Sequence, residues 1–333
     1  MDLDGKKDWQ EMIGEGPLRL DRFLHARLPG FSMNAVRALI RDGKVLVNGR
    51  RAKKGDRVGP GDQVRAAAAA GPAPAPDYDL PLAVVYEDND LAVLDKPPGV
   101  PTHPLAPDET GTLVNAAVAR WPHIRGVGDR LLEPGLIHRL DTGTAGLVMF
   151  AKNRPAFDFM RRDMKMHRVR KIYRALVRGR VERQSGEIRV PLARHPGKAG
   201  LMVAVAEGVK FRGRPQEALT RYRVLEKAPA ITLLELELVT GVMHQLRAHL
   251  AYIGHPVLGD DRYGTPLSPF SPFIPFSPFI PFIPFSPFIP FIPFSPSHAL
   301  QASRLSFTHP RDGAQVEVKV PRPLQLSDAA GWR

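Results

Sequence analysis

The chain has 333 residues, 43% of them hydrophobic, enough for one or two packed domains and too many for a wholly disordered protein. The absence of cysteine excludes a disulfide framework, a thiolate nucleophile and cysteine-ligated metals, while histidine and carboxylate metal sites stay open. The net charge of +13 is concentrated: residues 17–66 and 154–183 carry +8 each, leaving −3 for the remainder, a distribution that points to a polyanionic partner.

Residues 1–16 read as a tail of mixed charge without the apolar core of a signal peptide, and no later run resembles a membrane span, so a cytoplasmic protein is expected. A compact small unit is expected over 17–66. Leu20, Phe23, Leu24 and Leu28 recur at helical spacing, and a second helix, capped by Ser32, presents Val36, Leu39 and Ile40. Asp42-Gly43 ends that helix, residues 44–47 alternate as a short strand, and Asn48-Gly49 supplies a tight turn. The alanine and proline run AAAAAGPAPAP, 66–76, favours an extended spacer, so 67–79 is read as a linker and 80–325 as a second domain.

In that second domain, residues 82–86 and 91–94 are strand-like and joined by the turn residues Glu87-Asp88-Asn89-Asp90, which predicts a hairpin. The prolines of Lys96-Pro97-Pro98-Gly99-Val100-Pro101 remove backbone donors and predict a rigid loop of the kind that borders sites. Thr112 to Trp121 reads as a helix, and residues 147–150, 173–177, 231–238 and 316–320 as strands. A further helix after Gly241 presents Leu246, Leu250 and Ile253 and stops at Gly254-His255-Pro256. The fold class is therefore α+β. From 268 to 296 the chain repeats S-P-F and I-P-F triplets with proline at every third position, a period that suits polyproline II. We read it as an expanded repeat inserted in a tolerant loop.

The densest cluster of reactive residues is GLIHRLDTGTAGLVMFAK, 135–152, where His138, Arg139 and Asp141 fall in a loop between an apolar run and a strand. On local spacing alone Asp141 is as well suited to a turn as to chemistry. His244, His249 and His255 lack the two-histidine helical spacing of a zinc site, and there is no P-loop or G-x-G-x-x-G after a strand, so neither a metal nor a nucleotide cofactor is expected.

Three ordered blocks carry a resemblance. HRLDTGTAGLVMFAK is similar to the H-R-L-D-x-x-T-S-G-L-x-x-x-A-K motif of the RluA-type pseudouridine synthases. Lys171-Ile172-Tyr173-Arg174-Ala175 is similar to their K-x-Y-x-A, and TGVMHQLRAHLAYIGHPVLGDDRYG, 240–264, to their T-G-R-x-H-Q-I-R-x-H-L-A-x-x-G-H-P-I-x-G-D-x-x-Y-G. Upstream, RLDRFL, S-x-x-x-x-x-L-I-R-x-G-x-V-x-V-N-G and the GDxV turn resemble the S4 RNA-binding domain.

This resemblance implies a small S4-like domain ahead of a mixed, largely antiparallel sheet flanked by helices and loops. It implies cofactor-free isomerisation of uridine to pseudouridine in RNA, with large-subunit ribosomal RNA as substrate and tRNA as the alternative. Asp141 is the implied nucleophile, Arg247 its charge partner, and Tyr173 the residue beneath the target base. Arg139 would fill the gap left by an extruded uridine, and His138 would be a structural hydrogen-bonder. His138, Thr144, Lys171, His244 and Gln245 would line the RNA site; Arg19, Arg22, Arg37 and Arg41 would contact phosphates, with Asn48 at the adjacent turn. A monomer is expected. The chain departs from the pattern at Val242 (usually arginine), Ala145 (serine) and Gln301 (histidine), and a catalytically silent RNA-binding assembly factor is the alternative to an enzyme.

Overall fold

The apolar stripe at positions 20, 23, 24 and 28 seats α1 (Leu20–Arg27) beside α2 (Met33–Arg41) on a small antiparallel sheet. That arrangement comes from the computed structural model, which describes residues 9–14, 16–28, 33–66, 73–264 and 298–332. Strand order is Trp9–Met12, Gln63–Ala66, Val45–Val47, Arg50–Arg51. The first of these corrects the tail expected at 1–16: Trp9 tilts against Phe23 with ring centroids 6.1 Å apart, and Ile13 is buried in the core with Leu24, Val36 and Val64. A strand of four residues is too short to show a period, so only its partner reveals it. Asn48 takes a positive φ of 51°, as the Asn-Gly turn requires. The Ser32 cap and the 268–296 repeat lie outside the described residues.

Residues 73–79 do not form a free spacer. Asn115 Nδ2 donates to Ala75 O at 2.7 Å, Asp77 N donates to Asn115 O at 3.1 Å, and the Asp77 carboxylate accepts from Gly111 N at 2.9 Å. The larger unit thus begins near residue 73. Its nine-stranded sheet runs in the order 185–189, 219–227, 231–238, 170–178, 300–308, 145–151, 91–96, 84–87, with 315–319 also pairing along 300–308. The expected hairpin, helices and strands of this unit are present: 145–151 and 170–178 run longer than expected, 231–238 keeps its bounds, the helix at 113–120 is one residue shorter at each end, and the strands at 84–87 and 315–319 are displaced by one or two residues.

Among the described residues every pairing in this sheet is antiparallel except one, where Gln301 and Ala302 run parallel beside Ala145 and Gly146. Only glycine fits at that junction. Gly146 has φ 105°, and a Cβ there would lie 2.2 Å from Ala302 O. Among the described residues three α-helices flank the sheet: α3 (Leu113–Arg120), capped by Thr112; α4 (Arg154–Lys165), capped by Asn153; and α5 (Gln245–Tyr252). A feature the sequence reading did not anticipate is a three-stranded arm, ordered Met202–Ala204, Leu192–Arg194, Arg212–Gln216.

Candidate active site

The HRLD loop is held from several sides. Lys96, fully buried, donates through Nζ to Pro97 O, Val100 O and Thr142 O at 3.0, 2.8 and 3.0 Å. Desolvation pulls its pKa down to about 7, against the Asp141 and Asp95 carboxylates, which favour the ammonium form. Thr102 Oγ1 donates to Leu140 O at 2.7 Å and accepts from Leu140 N at 3.2 Å. Thr144 N donates to Asp141 O at 3.0 Å, and its hydroxyl is 2.8 Å from His298 Nε2. The rigid proline loop expected at 96–101 therefore serves as the brace of the reactive loop.

From the opposite side α5 delivers Arg247. Its guanidinium binds Asp260 in bidentate fashion, Nε to Oδ2 at 2.6 Å and Nη2 to Oδ1 at 2.8 Å, and its third nitrogen, Nη1, donates to Asp141 Oδ2 at 2.9 Å. Desolvation opposes the charge on Arg247, but Asp260 and then Asp141 outweigh it and hold the group above its ordinary value. The Asp260 carboxyl is likewise penalised by burial, yet Arg247 keeps it below the usual carboxylate range. Asp141 remains 30% exposed at its side chain, and among the described residues its Oδ1 has no hydrogen-bond partner. A fixed cation behind one oxygen and an open second oxygen is the arrangement a carboxylate nucleophile needs.

Tyr173 lies in the same cleft on the central strand Arg170–Arg178. The register of that strand against 300–308 shifts between Ile172 and Tyr173, an irregularity of the type that re-aims side chains beside active sites. Desolvation, aided by the Asp141 charge, raises its phenol well above the usual value, so Tyr173 stays neutral. The cleft, about 1360 Å³, is also lined by Arg139, Lys171 and His244. It exceeds the roughly 300–1,000 Å³ of a small-molecule pocket.

The remaining expected residues divide. Arg139 is exposed at the rim, its Nη1 3.4 Å from His103 Nε2. Lys171 sits at the wall with its pKa lowered by desolvation. His244, at the head of α5 with φ 53°, has Nδ1 3.0 Å from Tyr263 Oη and Nε2 3.8 Å from Asp141 Oδ2. His138 accepts from Met149 N at 3.3 Å, and desolvation pushes it down to about 3.

Gln245 is a correction. Its side chain is 2% exposed and spent inside the protein, accepting from Thr240 Oγ1 and Val242 N and donating to Leu219 O and Thr220 Oγ1. Thr144 is equally buried, its hydroxyl engaged by His298. In the small unit Arg19 and Arg37 share Asp21, at 2.9 and 3.3 Å, and Arg41 pairs with Asp42 at 3.0 Å, while Arg22 is exposed. Asn48 is occupied by its turn, donating to Asp62 Oδ1 at 2.7 Å and accepting from Gln63 N at 2.8 Å.

Lys96, Asp260, Tyr263 and His298 went unassigned in the sequence reading. Asp260 and Tyr263 lie in the 240–264 block, but their partners are set only by the fold. The departures are accommodated: Val242 packs with Leu201, Met202 and Tyr263, and Gln301 ties strand 300–308 to Arg322 O at 3.1 Å and Leu324 N at 2.7 Å. Among the described residues Asp88, Asp90 and His309 cluster within 4.8 Å. They lie outside the cleft, and Arg311, Asn153 and Tyr86 already occupy the carboxylates.

Comparison with known proteins agrees with this architecture. Residues 90–252 match the RNA pseudouridylate synthase family and residues 18–64 the S4 domain. An uncharacterised RNA pseudouridine synthase of Aquifex aeolicus is 34% identical, covering 94% of this chain and 93% of its own. The ribosomal large subunit pseudouridine synthase D of Neisseria meningitidis serogroup A is also 34% identical, over 92% of this chain and 76% of its own. Among solved structures, human RNA pseudouridylate synthase domain containing 1 superposes with a TM-score of 0.55 at 28% identity, over 76% of this chain and 88% of that one. A sheet of this topology, an arginine-backed aspartate in the HRLD loop and full-length relatives above the 30% level make this chain a member of the RluA-type RNA pseudouridine synthases, with an S4 domain ahead of the synthase unit.

Proposed function

We propose that Asp141 is the nucleophile or electrostatic stabiliser through which this enzyme converts uridine to pseudouridine, and that its substrate is large-subunit ribosomal RNA. The observation that carries this reading is the Asp260–Arg247–Asp141 chain at the floor of the cleft. Isomerisation breaks the bond from the ribose to N1 of uracil, rotates the base and forms a bond to C5; C5 gives up its proton and N1 takes one, so atoms and charge balance. Asp141 stabilises the detached state, Arg247 holds its carboxylate in place, and Tyr173 lies beneath the base and relays a proton. Arg139, exposed at the rim, fills the stack from which the uridine is flipped. The reaction is redox-neutral with one substrate, so it runs without a cofactor.

The name of the Neisseria relative and the S4 domain both favour ribosomal RNA; tRNA is the second substrate class for the same chemistry. The chain acts as a monomer in the cytoplasm; among the described residues no helix is long and apolar enough to cross a membrane. The test is pseudouridine mapping of ribosomal and transfer RNA from cells lacking the protein, complemented with the parent chain or with Asp141→Ala. Sites lost on deletion and restored only by the parent establish substrate and nucleophile together. If no site changes while RNA binding persists, the chain is an assembly factor.

A further inference from the structure

Among the described residues one side chain buries a polar atom that has no hydrogen-bond partner: His103, whose Nδ1 is closed off from solvent. Its other ring nitrogen has two neighbours competing for it. Nε2 lies 3.4 Å from Nη1 of Arg139 and 3.5 Å from Oε1 of Glu133. A lone pair on Nε2 accepts from the guanidinium, and a hydrogen there donates to the carboxylate; one nitrogen of a neutral ring cannot do both. Glu133 is served without the imidazole, because Arg130 Nη1 donates to both of its oxygens, at 2.9 and 3.1 Å. Arg139 is not: among the described residues no carboxylate pairs with this exposed guanidinium, and His103 is its one side-chain partner.

The backbone fixes this pairing from both sides. Thr102 Oγ1 donates to Leu140 O and accepts from Leu140 N, at 2.7 and 3.2 Å, which staples together the two stretches that carry His103 and Arg139 at the wall of the cleft. Val114 N donates to Thr102 O at 3.0 Å and ties the first stretch to α3. Each placement of the ring hydrogen has a cost. With Nε2 accepting, the hydrogen sits on Nδ1 as a buried, unpaired donor; with the hydrogen on Nε2, Glu133 receives it but Arg139 loses its acceptor. Burial lowers the pKa of the imidazole; Glu133 and Glu109 oppose that while Arg139 and Arg130 add to it, so the ring is neutral at pH 7. Neither neutral form satisfies every group, which makes the hold on Arg139 a releasable one.

We propose that His103 is a positioning residue for Arg139: it holds the exposed guanidinium ready at the rim of the free cleft and gives it up when the arginine enters the RNA stack, the ring then turning its hydrogen to Glu133. The release is a change of tautomer. Nδ1 gives a proton to water and Nε2 takes one from water, so the ring stays neutral and the protons balance. Arginine is long and rich in rotamers, and ordering it in advance removes that entropy cost from the step that uses it. The proposal rests on the reading of Arg139 as the residue that fills the place of the flipped uridine.

The test is single-turnover release of tritium from C5-labelled uridine in transcripts of large-subunit ribosomal RNA and of transfer RNA, with enzyme in excess. It compares the full chain with His103→Ala, His103→Gln, Arg139→Met and the double variant His103→Ala with Arg139→Met. His103→Ala is expected to lower the plateau rate roughly 2- to 10-fold, the cost of ordering one long side chain, and to leave the half-saturating enzyme concentration within about twofold. His103→Gln, whose amide still accepts from Arg139, is expected to recover most of that rate. In the Arg139→Met background, itself slower by about 10-fold or more, His103→Ala should cost nothing further, since a residue that acts only through Arg139 has nothing left to aim. Equal losses in the two backgrounds would leave His103 a support of the fold and overturn the proposal, as would a His103→Ala rate equal to the parent's. An Arg139→Met rate equal to the parent's removes instead the flipping role on which the proposal rests. No release by the parent from either RNA removes the synthase reading itself.

Discussion

Replacing Asp260 with asparagine keeps the volume of the side chain behind Arg247 but removes its charge. The two side chains are 0% and 5% exposed, and uncoupling a pair buried to this degree costs about 3–5 kcal/mol, because the surviving charge is stranded away from water. Asparagine still accepts one of the two guanidinium bonds, which puts Asp260→Asn at the lower end of that range. At about 2–4 °C per kcal/mol for a unit of this size, the melting temperature falls by roughly 6–12 °C. Arg247 is left with Asp141 as its sole full charge partner and shifts toward it; a displacement near 1 Å is worth on the order of 100-fold in turnover. The assay pairs thermal unfolding with single-turnover release of tritium from C5 of labelled uridine in RNA. The double variant Arg247→Met with Asp260→Leu is expected to regain most of the stability, since an apolar pair carries no desolvation cost, and none of the activity. An Asp260→Asn protein within 1 kcal/mol of the parent and of equal turnover would refute the view that this ion triad positions the carboxylate.

Other outcomes follow from single contacts. Gly146→Ala meets Ala302 O at 2.2 Å in a backbone conformation with φ 105°; we expect a loss of about 3 kcal/mol or more, read as a fall in the soluble yield and in the urea midpoint. Burial lowers His298 from 6.5 to about 4 and His138 to about 3. Both are therefore neutral in the folded state where the unfolded chain binds protons, and their contribution is fully present above pH 6.5 and lost as pH falls toward these values. Stability should drop by up to about 1.4 kcal/mol per pH unit for each below pH 6.5, and His298→Gln should remove one such increment from the slope measured by urea unfolding. Tyr173→Phe keeps the ring but not the hydroxyl: RNA affinity should stay within about twofold while turnover falls about 100-fold or more, as loss of a positioned proton-transfer group does. Equal turnover would leave Tyr173 with stacking alone.

Much of this protein is legible in one dimension. The helices α1, α3 and α5 follow from apolar residues at helical spacing and from capping residues such as Thr112, and the 84–96 hairpin from its turn chemistry. Asp141, Tyr173 and Arg247 were nominated by three short blocks because the chemistry tolerates few residue types there. Tertiary structure decided what local pattern cannot encode. Trp9 and the adjoining Ile13 become part of a core only when a distant strand supplies the ladder, as Ala66, 57 residues on, does opposite Trp9. Gln245 was nominated with the 240–264 block; the fold turned it inward, where four partners use up its hydrogen bonds. Arg221 and Arg223, which pair with Glu187 and Glu235, cannot be told by composition from Arg212 and Arg214, which form no ion pair among the described residues, since whether a cation is neutralised depends on which glutamate the neighbouring strand places beside it. The Asp260–Arg247–Asp141 chain joins residues up to 119 positions apart in the sequence, and a carboxylate's nearest charge is a property of distance in space, which only packing sets.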